Sequence, residues 1–319
     1  MISTFCRSFA PLRSIARVLL TGSLLTVSLL AAPSAHASLG LPMTTVFRGR
    51  ATFDRLVARA ERENWRALPI GERTVRVGLA LAGTPYAGYT LEIDNRIEAP
   101  SVDFMGLDCW TFYETSLGFA RMLHAKAGPY APEDLLRMVE LDRYRHGRCT
   151  GQYLSRIHFL EELFYDNEKR GLLTNITRRL DGAERMDHRD IREMTVMWRH
   201  YRYLRNNPSL LPEMARIQEY VSDLPVYHVP KQRVAAIEED LHGGDIIAIT
   251  SRDTGGYTSH VGLAYRDPRG VLRFLHASSK QRRVLVDDRL SAYLASKRDD
   301  AGIVVARPAD VPAGTLAER

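Results

Sequence analysis

The chain has 319 residues, of which 45% are hydrophobic and 26% charged, with 22 glycines and 15 prolines. This is the profile of an ordinary globular protein and excludes a disordered, collagen-like or polytopic membrane chain. The formal charge of +6 includes Arg7, Arg13 and Arg17, and no acid precedes residue 38, so the remainder carries only +3. That is too weak a footprint for nucleic acid, which calls for clustered Lys/Arg stripes.

The amino terminus reads as a secretory signal peptide over residues 1–37. Three arginines precede an apolar stretch, Val18 to Leu30, and Ala35-His36-Ala37 offers the small-x-small pattern for cleavage after Ala37. The apolar run is short for a bilayer span and no stop-transfer flank follows, so no membrane anchor is expected after removal. Cys6 lies before the apolar run and so is not the lipidated cysteine of a lipoprotein. A mature chain from Ser38 to residue 319 is long enough for one sizeable core and would be periplasmic or secreted. It would keep Cys109 and Cys149. In an oxidising compartment these form either one disulfide or, alternatively, leave Cys109 as a free, working thiol.

Along the mature chain, residues 52–68 read as a helix, with Phe53, Leu56, Val57, Ala60 and Trp65 near helical spacing. Thr74 to Leu81 is a second short apolar element that ends at the turn signal Gly83-Thr84-Pro85-Tyr86. Asp108 begins the next element, and Trp110, Tyr113, Leu117 and Ala120 mark a helix that Gly128-Pro129 stops. Residues 131–220 read as mostly helical and charged, with one helix opened by Pro132-Glu133-Asp134 and another from Ile157 to Glu168. After Pro230 the texture changes to short strand-like runs: 245–249, 260–265, 271–277, 283–286 and 303–306. Helices first and an antiparallel sheet afterwards is the α+β pattern.

Three residues in this layout are able to carry chemistry. Asp108 is a good N-cap, which puts Cys109 in the first turn of a helix. Unpaired N–H groups there favour a thiolate, and the same groups can hold an oxyanion. A cysteine at a helix start is commonly just a small buried apolar residue, so a base is needed. Ser259 to Tyr265 alternates, which places His260, Gly262 and Ala264 on one face. Asp267-Pro268-Arg269-Gly270 fits a three-residue hairpin loop, and residue numbers paired across it then sum to 538. His276 falls opposite Gly262 and shares a face with His260, as a diagonal neighbour roughly 7–8 Å away at the backbone. The line is Cys109 as nucleophile, His260 as base and His276 as orienter.

Asp108-Cys109, Gly244-Asp245, Ser259-His260-Val261-Gly262 and Leu275-His276-Ala277-Ser278, in that order, resemble the NlpC-type cell-wall cysteine hydrolases. Gly83-Thr84-Pro85-Tyr86, Leu91-Glu92 and the run from Leu107 to Glu114 resemble more particularly the N-acetylmuramoyl-L-alanine amidase-like branch. The similarity spans roughly residues 50–306. It implies a circularly permuted papain-like fold, a nucleophile helix packed on an antiparallel sheet. Residues 38–319 would form a single catalytic domain with a large helical insertion at about 128–230. The same three residues take the same roles, Tyr86 sits beside the cysteine in the substrate site, and Gly244-Asp245 is a structural turn. The implied partner is peptidoglycan or its muropeptide fragments, and the implied activity is cleavage of the amide between muramic acid and the stem peptide.

The sequence departs from many relatives at Trp110-Thr111, where they have Ser-Gly; bulk beside the nucleophile argues against a direct transfer of the superfamily's endopeptidase specificity. In the middle region, Arg145, His146, Arg148, Arg156 and His158 form either a solvated helical face or an active-site wall that presents cations to muropeptide carboxylates, with Arg156 the substrate-binding candidate. Cys149 is then expected to be buried and inert. Neither a metal nor another cofactor is expected: there is no H-E-x-x-H, and the ten histidines lack ligand spacing. Two alternatives stay open, a stem-peptide endopeptidase using the same three residues and a wall-binding scaffold with a Cys109–Cys149 disulfide.

Overall fold

The structure is a computed structural model that describes residues 38–251 and 257–316, so the expected signal peptide lies outside the described residues. Three helices lead into the core: α1 (Arg50–Arg62), α2 (Ile70–Ala80) and α3 (Cys109–Ala125). The helix expected over 52–68 is in fact α1 followed by a single 3₁₀ turn, Trp65–Ala67, because Asn64 adopts a left-handed conformation (φ 50°) that breaks the run. The short apolar element at Thr74–Leu81 is the buried side of α2, which begins earlier, at Ile70.

Helix α3 is buried on every side, from Thr111 to Leu123. A helix with no polar stripe belongs in the interior, and α3 is the axis of the molecule. On one flank it packs against α4 (Pro132–Arg143), whose first turn is set by Pro132 and by the Asp134 carboxylate accepting the Ala131 N–H at 2.7 Å. The middle region continues with α5 (Leu160–Lys169) and α6 (Leu211–Asp223). It is less helical than expected. It also supplies three strands, β1 (Leu173–Asn175), β2 (Glu184–Arg185) and β3 (Tyr227–Pro230), which are too short to show a period of two.

The remaining strands follow the sequence closely: β4 (Ile246–Ser251), β5 (Thr258–Arg266), β6 (Leu272–Ser278), β7 (Arg283–Arg289) and β8 (Asp300–Pro308). Among the described residues they form an antiparallel sheet in the order β2-β3-β8-β4-β5-β6-β7, with β1 also on β8. The middle region is therefore hydrogen-bonded into the same sheet as the C-terminal strands. Strand alternation divides the core. Ile246, Ala248, Val261, Leu263, Leu275 and Ala277 pack with the α3 cluster. Ile247, Ile249, Ala264 and Phe274 face a second cluster with Leu290 and Leu294 of α7 (Leu290–Ala295).

Gly244 turns the chain into β4 at φ 91°, and a Cβ there would lie 2.3 Å from the Gly71 Cα. Next to it, both Asp245 oxygens accept from Arg307, each at 2.8 Å. Gly244-Asp245 is thus a structural turn, as the sequence implies. Ion pairs also stitch the helices: Glu114 of α3 accepts from both Arg143 Nε (2.9 Å) and Nη2 (2.6 Å), with both side chains buried. Removing one partner of a buried pair strands the other charge. Glu114→Ala should therefore lower the unfolding free energy by about 3–5 kcal/mol, read from urea denaturation.

Candidate active site

Cys109 is the first residue of α3, and the cap that puts it there is reciprocal. Asp108 Oδ1 accepts the Thr111 N–H at 2.8 Å, while Thr111 Oγ1 accepts the Asp108 N–H at 3.0 Å. The N–H groups of Val261 in β5, of Trp110 and of Cys109 itself stabilise charge on the sulfur, and the Trp110 N–H also faces the Asp108 carboxylate. A helix start was expected to depress the thiol pKa. Burial overrides it and pushes the thiol up to about 12, with the Asp108 carboxylate adding to the rise and the three N–H groups only offsetting it. At rest Cys109 is a thiol. It is not in a disulfide: Cys109 and Cys149 are both free, and buried Cys149 donates to the Glu98 carbonyl at 3.4 Å.

The β5–β6 hairpin has the expected geometry. The Gly270 N–H donates to the Asp267 carbonyl at 2.8 Å, and Gly270 is left-handed at φ 81°. The observed pairs Leu263↔Leu275, Ala264↔Phe274 and Tyr265↔Arg273 have the expected sum. His260 and His276 meet in consequence, with Nε2 of the first 2.7 Å from Nδ1 of the second. Gly262 is needed for a tighter reason than space between the rings: a Cβ there would stand 2.8 Å from the His276 Cβ and 2.7 Å from the Phe274 ring. At the other end of β5, Thr250 pairs with Thr258 while Ile249 pairs with His260, so Ser259 is bulged out. Such a bulge re-aims its neighbours. Cys109, Trp110, Ser259, His260 and Val261 line one cavity of about 200 Å³.

A further member was missed by the sequence reading. His276 Nε2 lies 3.3 Å from Asp287 Oδ2 of β7. The β6–β7 register, His276↔Leu285, puts Asp287 two residues on and on the same face. With Asp287 ionised, one set of tautomers satisfies the whole line: His276 donates from Nε2 to Asp287, and His260 donates from Nε2 to His276 Nδ1. His260 Nδ1 is then left as an open acceptor. Burial holds both rings low, His260 at about 3 and His276 at about 4; the charges of His276 and Lys297 add to the first, and Asp287 partly offsets the second. Both imidazoles are neutral at neutral pH. A neutral imidazole with a free acceptor nitrogen, in one cavity with a thiol, has the equipment of a general base.

Next to this cavity lies a second, of about 330 Å³, which shares Trp110, His158 and Glu193 with it. Tyr86 is in its wall, its hydroxyl pushed up to about 12 by burial and then by Cys109 and Asp108. Arg156 is there too, but its guanidinium is buried and balanced by Glu92 at 2.9 Å and Glu98 at 3.2 Å. Burial, then Arg156 and Arg145, holds His158 well below the usual imidazole range. Arg145 is bonded to Glu162. Of the five residues read from the sequence as a cationic wall, only Arg156 and His158 line this cavity, Arg145 and Arg156 are ion-paired, and His146 and Arg148 are exposed elsewhere. Glu193 was also missed; it sits in a segment without periodicity and accepts from the Tyr201 hydroxyl at 2.7 Å. Among the described residues, no group of three or more His, Cys, Asp or Glu is placed to hold a metal ion, and no helix is long and apolar enough to cross a membrane.

The family described as N-acetylmuramoyl-L-alanine amidase-like (AmiA-like) matches residues 76–303, and the chain belongs to it. Among solved structures, it is similar to an N-acetylmuramoyl-L-alanine amidase from Bacteroides uniformis at 26% identity and a TM-score of 0.67, covering 76% of this chain and 99% of that one. A Bacteroides fragilis protein provisionally named a xylanase is 30% identical, with a TM-score of 0.61 over 73% of this chain and 99% of its own. A Legionella pneumophila protein shares the fold at 20% identity, with a TM-score of 0.60 over 83% of this chain and 99% of its own. No curated protein matches the chain.

An imidazole with a depressed folded pKa gives stability that is fully present above its unfolded value of 6.5 and lost as pH falls through the folded value. Urea midpoints should therefore fall between about pH 6 and pH 4, and less steeply in His276→Asn than in the parent. Gly262→Ala should cost about 1–3 kcal/mol in the same assay, since the new methyl must displace backbone or His276.

Proposed function

We propose that this protein is a cysteine-dependent N-acetylmuramoyl-L-alanine amidase that cleaves the amide between muramic acid and the stem peptide, in cell wall or in muropeptide fragments. The observation that carries the proposal is the line His260–His276–Asp287, whose first member lines the same cavity as Cys109. The family match and the Bacteroides uniformis relative support the choice of bond. The fold is read as a circularly permuted papain-like domain over residues 38–319, with the middle region at about 128–230 as its insertion. Residues 1–37 are read as a signal peptide that delivers it to the periplasm or beyond.

In this reading His260 takes the thiol proton as Sγ attacks the lactyl carbonyl. The N–H groups of Cys109 and Trp110 receive the charge that develops on the carbonyl oxygen. Collapse breaks the carbon–nitrogen bond, and His260 returns the proton to the departing alanine amine. Water, deprotonated by the same imidazole, then hydrolyses the thioester. His276 and Asp287 hold the ring and its tautomer; they act through His260. Tyr86 and Arg156 line the wall beside the nucleophile.

A glycosidase reading, prompted by the name of the Bacteroides fragilis relative, is less well supported. That chemistry needs two carboxyl groups facing the bond. Of the other carboxylates in the wall that holds Glu193, Glu92 is committed to Arg156, the Tyr153 hydroxyl and the Tyr203 N–H, and Asp108 to the Thr111 N–H.

Incubation with purified muropeptides should release the intact stem peptide and its sugar, as read by mass spectrometry. Cys109→Ala should lower that rate by about 10³-fold or more; full activity in the variant would overturn the mechanism, and cleavage within the stem would favour an endopeptidase. Because the base is neutral down to about pH 3–4, kcat/KM should show no acid limb above pH 5. Asp287→Asn should reduce kcat roughly tenfold to a hundredfold through misorientation of the relay.

A further inference from the structure

The sheet holds the end of β5 that carries the base from one side only, and irregularly. The pairing of β5 with β6 runs from Arg266 to Leu263 and stops three residues short of His260. On the other side, the ladder with β4 shifts register between Ile249↔His260 and Thr250↔Thr258. A bulge leaves one residue unpaired and lets the strand bend, so the ladder alone leaves the direction of the ring underdetermined. The bond to His276 fixes one ring nitrogen and not the backbone beneath it. A general base must reach the proton it takes, and a displacement of about 1 Å can cost on the order of a hundredfold in rate.

The missing hold comes from the middle region. Thr258, two residues before His260, donates its N–H to Glu161 Oε1 at 2.6 Å. Glu161 stands in the first turn of α5, and its side chain is only 2% exposed. Arg189 lies beside it, with Nη2 3.7 Å from the same oxygen. Arg189 is fixed in turn, donating from Nη1 to the Leu224 carbonyl at 2.9 Å, just past the end of α6. Burial raises the carboxyl above its ordinary range, and Arg189 is the largest influence opposing that rise. An N–H bonded to an ionised acceptor is held about twice as strongly as one bonded to a neutral acceptor. Charges are costly to bury, and a neutral oxygen would satisfy one amide, so stability alone does not account for this arrangement.

We infer that Glu161 is a positioning residue: with Arg189 behind it, its carboxylate fixes the Thr258 end of β5 and so sets the reach of the His260 imidazole toward Cys109. Glu161 lines neither of the two cavities at the nucleophile, so it acts through the strand and not on substrate. This rests on the reading of His260 as the base for Cys109, and it gives the middle region a part in the chemistry.

Removing Glu161 alone would strand Arg189 in the interior, so the test uses paired substitutions. Glu161→Leu/Arg189→Met keeps the volume and removes the acceptor; Glu161→Gln/Arg189→Met keeps a carbonyl oxygen for the Thr258 N–H. Glu161→Asp leaves the pair charged and withdraws the oxygen by one methylene. Two rates are read on folded protein: kcat and KM on purified muropeptides, and alkylation of Cys109 by iodoacetamide, which does not depend on the bond cut. Glu161→Leu/Arg189→Met should lower kcat and the alkylation rate about tenfold with KM within about twofold, and Glu161→Asp should lower both by about threefold to tenfold. Glu161→Gln/Arg189→Met should stay within about threefold of the parent. A purely structural role would lower the urea midpoint and spare both rates. Parent rates in Glu161→Asp, or equal losses in the two paired variants, would therefore remove the positioning role; if His260→Ala still slows alkylation, the base assignment stands without it. If His260→Ala leaves the alkylation of Cys109 unchanged, the base assignment itself fails and takes the positioning role with it.

Discussion

The reciprocal hydrogen bonds between Asp108 and Thr111 are the constraint from which the site follows. They stop α3 one residue before Cys109, and the burial of α3 on every side then allows it a single position in the core. A helix that is free on one face can slide or roll to accommodate change. One enclosed by α2, α4 and the sheet cannot, so the sulfur at its tip inherits the position of the whole interior.

The sheet supplies the opposing half by a different logic. Strand pairing quantises side-chain positions in steps of two residues, and a tight hairpin leaves no freedom to slip. The two imidazoles are brought together by backbone geometry around Gly262 and held by their own hydrogen bond and by Asp287. The bulge at Ser259 interrupts the β4–β5 register beside His260, where the end of β5 and the start of α3 line one cavity. Beside this rigid frame, the middle region adds the wall that carries Tyr153, Arg156, Glu193 and Tyr201, anchored through strands that pair with β8 and with each other.

The parts that were legible before any coordinates are those decided by local rules. Asp108 as a cap, the Pro268–Gly270 turn and the register it imposes were enough to bring His276 to His260, and short turns made the C-terminal strands easy to delimit. Asp287 was hidden because its approach depends on the β6–β7 register, which contains an irregularity between Arg273 and Leu275. The neutralisation of Arg156 was hidden because its partners, Glu92 and Glu98, lie some sixty residues away in a loop with no period. The thiol was misjudged for another reason: a helix start and a buried position act in opposite directions on one pKa, and sequence reveals the first without the depth of the second.

That opposition has a consequence for the durability of the molecule. Attack on peroxide, on disulfides and on alkylating agents all requires the thiolate, and a sulfur kept protonated at rest presents almost none of it. The same desolvation that raises the thiol pKa removes a standing ion pair from the site and disfavours the thiolate that oxidants attack. Both free sulfurs among the described residues, Cys109 and Cys149, are held in that protonated state by burial.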